Sequence, residues 1–147
     1  MHYLSNLWSA LDFGSMLDMV LRLAAVLLCL TVHEACHGLA AYALGDPTAR
    51  RAHRLSLNPL RHIDWIGLAL MFAAGFGWAK PVPVNPNYFK KPKQGMALTA
   101  LAGPVSNFLL ALLTLLAARI FCDVAAYSET NQRILDFLLM MAVLSIG

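Results

Sequence analysis

Charge is what this chain has least of: eight acidic and eleven basic residues among 147, only 13% of the total, against 59% hydrophobic residues. A net charge of +3, dispersed along the chain, leaves no electrostatic footprint for a phosphate backbone, which excludes nucleic acid as the main partner. Cysteine is scarce as well. Cys29, Cys36 and Cys122 show no CxxC spacing, and two of them sit inside an apolar run, so a disulfide framework is excluded and they read as free thiols. The N-terminus lacks the basic start of a secretory signal, since its only charges before Leu23 are Asp12, Asp18 and Arg22, and nothing marks it for removal. No internal repeat or low-complexity segment is present. What remains is apolar, and a mean hydropathy of +0.62 points away from a soluble domain to a membrane protein. At about 20 apolar residues per span, the length allows roughly three spans and part of a fourth.

The few charges divide the chain. Residues 23–45 hold one formal charge, Glu34, and residues 94–118 hold none, so both stretches are long enough to span a bilayer. Residues 65–79 are uncharged but short and interrupted by Gly67, Gly75 and Gly77, which predicts a re-entrant segment rather than a crossing. Residues 137–147 read as a partial span. Leu4, Leu7, Trp8 and Leu11 form the stripe of a short surface helix, an anchor rather than a chemical site. The segment from Asp46 to Asp64 carries four arginines against two acids, and that from Lys80 to Lys93 carries four lysines against none. Both basic segments are expected on the cytoplasmic side, and the stretch from Arg119 to Asp136, read as a loop, on the other. The fold expected is an all-α membrane protein: one membrane-embedded domain over residues 1–147, with polytopic helices and a re-entrant or extended membrane-associated element.

Inside the first span, His33, Glu34 and His37 stand in HExxH order. On a helix the two histidines lie one turn apart, so both imidazoles reach one metal ion while Glu34 flanks them. Zinc hydrolysis requires these groups: neutral imidazoles as ligands, an open coordination position, and a carboxylate that takes a proton from water. The competing reading is a buried polar pair serving helix packing, but ionisable groups in mid-membrane are costly and usually functional.

Three further stretches accompany this motif: LNPLRHID from Leu57 to Asp64, GWAKPVPVNP from Gly77 to Pro86, and GMALTALAGPVSN from Gly95 to Asn107. Together with HEACHG, and in this order, they resemble the site-2 proteases, intramembrane zinc metalloproteases, of the small bacterial and archaeal type. The resemblance runs from about Val20 to the last residue. It implies one zinc ion per chain held by His33 and His37, Glu34 as general base, and Asn107 beside the site assisting substrate or oxyanion binding. It also implies a transmembrane protein as substrate, often a membrane-tethered regulator, and a place in a prokaryotic cytoplasmic membrane. Prolines 81, 83 and 86 favour extended backbone, suited to edge pairing with an unwound substrate. Gly103 and Pro104 read as helix packing and a kink.

The chain departs from the family pattern twice. Trp65 stands where the family has proline after HID, which affects that turn. The family's third zinc ligand, an aspartate before glycine in a later proline-rich span, has no counterpart here, so the chain is expected to be C-terminally incomplete. His53, His62 and Asp64 read as solvated or turn residues, and Asp123 and Asp136 lie in the opposite loop. The leading expectation is peptide-bond hydrolysis within the membrane. The alternatives are a non-catalytic membrane binding module, motivated by the missing ligand, and a metal transporter, disfavoured because the spans hold few other polar residues.

Overall fold

In the computed structural model the described residues are 16–62, 64–74, 80–124 and 128–146; the stripe from Leu4 to Leu11 lies outside them. Among the described residues five α-helices follow in order: α1 (Met16–Ala43), α2 (Thr48–Arg51), α3 (Trp65–Ala74), α4 (Pro92–Val124) and α5 (Glu129–Ile146). There is no strand among the described residues.

Helix α1 holds no glycine or proline before Gly38, so nothing interrupts its ladder through the apolar run. It stops at Gly45. That residue has φ +105°, the left-handed conformation that favours glycine, and its N–H donates to Tyr42 O while the N–H of Asp46 reaches back to Ala41 O. These two bonds satisfy carbonyls that the helix end would otherwise orphan. Asp46, fully buried, then accepts from the backbone N–H and the hydroxyl of Thr48, which starts α2.

Asn58 caps a one-turn 3₁₀ helix (Pro59–Arg61) by accepting from Leu60 N, and Asp64 caps α3 by accepting from Ile66 N and Gly67 N. The ten described residues of α3 reach about 15 Å, half the hydrocarbon thickness of about 30 Å. Gly75 and Gly77, on which the re-entrant expectation also rested, lie outside the described residues. Lys80 to Asn85 run without regular structure to a second 3₁₀ turn (Pro86–Tyr88). Prolines open both that turn and α4, at positions where a missing N–H costs no ladder bond.

Helices α1, α4 and α5 all pack on one another. The residues that α4 buries are all small: Gly95, Thr99, Gly103, Ser106, Ala111, Thr114 and Ala118. Its large apolar side chains, among them Leu101, Val105, Phe108, Leu113 and Leu116, face outward. That arrangement is the reverse of a water-soluble helix and suits lipid, where small residues let backbones approach and leucine is at home on the outside. Against α5, Ala25 and Cys29 pack on Met141, flanked by Leu110, Phe137 and Met140, and the Cys29 thiol lies 3.2 Å from the Ser145 hydroxyl. Among the described residues two helices are long and apolar enough to cross a membrane, Met19–Ala43 within α1 and Pro92–Val124. The chain is an all-α membrane protein. Its helices outrun the uncharged stretches: α4 continues through Arg119 and Asp123, a surface ion pair at 3.4 Å, and α5 begins at Glu129. Charge limits how deep a residue can sit in lipid, not whether it is helical, which is why the expected loop is mostly helix.

Candidate metal centre

His33 and His37 project from α1 one turn apart towards α4. Their rings meet edge to face with centroids 4.6 Å apart, and their Nε2 atoms are separated by 3.0 Å. Two imidazole nitrogens bound to one tetrahedral zinc would stand about 3.4 Å apart, given bonds of about 2.1 Å, so the pair is nearly at ligand spacing. The Nδ1 atom of His37 lies 2.7 Å from the backbone carbonyl of Thr99. A carbonyl only accepts, so Nδ1 carries the proton and Nε2 keeps its lone pair for an electrophile. The donor chemistry and this tautomer fit a zinc ion with respect to two ligands.

Helix α4 makes room for the pair at Gly103. A Cβ built there would overlap the Nε2 atoms of both histidines, coming within 2.5 Å of that of His33. The sequence reading of Gly103 as a packing residue holds, with the histidine rings themselves as what it packs against. One turn further along α4, the Asn107 side chain lies against His33. Neither Nδ1 of His33 nor Oδ1 of Asn107, both buried, has a hydrogen-bond partner there. The contacts of His37 with Thr99, of both rings with Gly103 and of His33 with Asn107 step along the two helices in antiparallel register.

Glu34 points to the extended segment, where its Oε2 accepts from the backbone N–H of Val82 at 3.1 Å. Gly38 allows that approach, since a Cβ there would press on Val82, Ala49 and Leu55. The structure therefore brings His33, Glu34, His37 and Asn107 into one neighbourhood. No group of three metal-ligating side chains occurs among the described residues. His62, read from sequence as solvated or turn-forming, does close the 3₁₀ turn but is not solvated: its side chain is among the most buried, with Nε2 donating to Ser56 O at 2.8 Å. It folds inward because its own carbonyl and ring both hold neighbouring segments: the carbonyl accepts from Lys80 N. Thr99 and Val82 take part through backbone groups that no side-chain pattern announces, although the prolines around Val82 did mark its segment as extended.

The chain is 52% identical over 81 residues to the protein named "Putative zinc metalloprotease YwhC" of Bacillus subtilis, covering 55% of this chain and 37% of that protein. It is 31% identical over 111 residues to "Putative zinc metalloprotease Rip2" of Mycolicibacterium smegmatis, covering 72% of this chain and 42% of that protein. The chain thus spans less than half the length of these curated relatives. No family model matches it, and no solved structure does. The chain is thus similar to two proteins that are both named as putative zinc metalloproteases.

Proposed function

We propose that this chain carries the histidine pair and general base of an intramembrane zinc metalloprotease, which hydrolyses a peptide bond in or near a transmembrane segment of another membrane protein. The observation that supports it best is the pair of Nε2 atoms 3.0 Å apart on a membrane-length helix, with Glu34 beside them and no side chain opposite at Gly103. His33 and His37 would hold zinc together with a ligand from outside the described residues. When bound, the ion supplies a Lewis acid that polarises the scissile carbonyl and acidifies water. Glu34 accepts the proton from the attacking water and delivers it to the leaving amine, so one water is consumed and a carboxylate and an amine are formed. Asn107 offers an amide to the developing oxyanion or to the substrate backbone. The extended segment around Val82 lies beside Glu34, where an unwound substrate with unpaired N–H and C=O groups needs partners. In this reading the protein sits in a prokaryotic cytoplasmic membrane as a multi-pass protein, its arginine- and lysine-rich segments on the cytoplasmic side and its substrate a membrane-tethered regulator.

Cleavage of a membrane substrate in proteoliposomes tests the proposal. The parent cuts and Glu34→Ala does not; equal rates would sink it. The histidine pair without a third side-chain ligand among the described residues also fits a binding module that holds transmembrane helices without cutting them. Stoichiometric, tightly held zinc in the purified protein argues against that second reading.

A further inference from the structure

The segment from Lys80 to Asn85 is fastened at three points, and the middle one is Glu34. At one end Lys80 N–H donates to His62 O at 3.0 Å; at the other Asn85 N–H donates to the buried carboxylate of Asp46 at 2.6 Å. Between them the sequence is Pro81, Val82, Pro83. Neither proline has an N–H, so the Val82 amide is the single donor of that triplet. Pro83 also biases Val82 to extended backbone, and the Val82 side chain is buried over Gly38. The donor is thus held by covalent restriction on both sides, by packing beneath it and by a hydrogen bond at each end of the segment. It is aimed at Oε2 of Glu34, 3.1 Å away.

From this geometry we infer that Val82 is a positioning residue for Glu34: its backbone amide fixes the carboxylate through Oε2, and Asp46 is the remote anchor that holds the amide in place. A glutamate has three side-chain torsions, and on an exposed helix it samples many rotamers. A general base must instead stand within hydrogen-bond reach of the proton that it takes. Binding Oε2 leaves Oε1 for proton transfer. The inference rests on the reading of Glu34 as general base, and it predicts that a change in the Pro81–Pro83 triplet acts on turnover and not on metal binding.

Two measurements test it. Val82→Pro removes the amide; cleavage in proteoliposomes is expected to lose up to about a hundredfold in kcat, with KM and zinc content held. Val82→Ala keeps the amide and falls far less. In valine-labelled protein in detergent, the Val82 amide is expected to exchange slowly with solvent in the parent and quickly in Glu34→Ala. Parent-like kcat in Val82→Pro, or unchanged Val82 exchange in Glu34→Ala, overturns the inference. Absence of any Glu34-dependent cleavage in the parent would instead overturn the hydrolase reading, and the exchange measurement would still decide whether the amide holds the carboxylate.

Discussion

Gly103 and His33 face each other so closely that one added methyl group on α4 would come within 2.5 Å of the imidazole Nε2. The histidine pair therefore depends on a position that has no side chain at all. Gly103→Ala is expected to push the rings apart, with a stability loss of about 1–3 kcal/mol from overpacking and a larger loss of zinc. Thermal melting and metal content of the purified variant measure both; an alanine variant that binds zinc as the parent does would contradict the close approach.

Ligand and base should separate in metal analysis. His33→Ala and His37→Ala each remove a nitrogen from the pair and are expected to bring zinc to background. Glu34→Gln keeps both nitrogens and is expected to retain zinc while losing cleavage by roughly 10²–10⁴-fold, the usual contribution of a general base. Chelation of the parent should abolish cleavage, and zinc should restore it.

Asn107→Ala is expected to lower kcat/KM by about 10²-fold, as loss of one oxyanion donor does, with little change in zinc content. Its Oδ1 is buried without a partner, so truncation relieves an unsatisfied group and should leave the melting temperature close to that of the parent. A large loss of zinc in this variant would assign Asn107 to the support of His33 instead.

Asp46 supplies a pH dependence. Burial alone pushes its carboxyl up, but the Thr48 hydroxyl, the N–H groups of Asn85 and Thr48 and the charge of Arg51 together outweigh burial and hold it below the usual carboxylate range. A carboxyl whose pKa is lowered by folding adds stability above its unfolded value of about 3.9, and that stability is lost as pH falls through the lower, folded value. Unfolding followed by circular dichroism should therefore show an acid limb below about pH 4 that is flattened in Asp46→Asn. Asp46→Ala, which leaves the Asn85 and Thr48 donors unpaired, is expected to cost about 1–3 kcal/mol at neutral pH.

The parts of this molecule that were legible in the sequence are those written in side chains. His33, Glu34 and His37 are separated by helical spacing, and any helix through them brings the two imidazoles together. The uncharged stretches found the two membrane-length helices. What stayed hidden belongs to the backbone: the Thr99 carbonyl that sets the tautomer of His37 and the Val82 amide beside Glu34 carry no residue-type signature. The turn role of His62 was legible, but its burial was missed because a histidine among arginines looks solvated, while that burial is decided by Ser56 and Lys80, six residues before it and eighteen after. The ends of α4 and α5 were missed because charged residues such as Arg119 and Asp123 were counted against a span, although they form good helix.

The place of His37 along α1 bears on the substrate. It lies six residues before the end of the helix at Ala43, and its partner Thr99 lies seven residues after the start of α4 at Pro92, so the pair sits about 10 Å from one end of both helices. In the protease proposed above, a substrate helix entering from that end would lose only about two turns to offer a peptide bond there. Every turn unwound in lipid uncovers backbone groups that cost several kcal/mol apiece unless they find partners. A shallow site keeps that cost to the first two turns, so helix stability near one end of the substrate, more than its sequence at the cut, would decide which spans are cleaved.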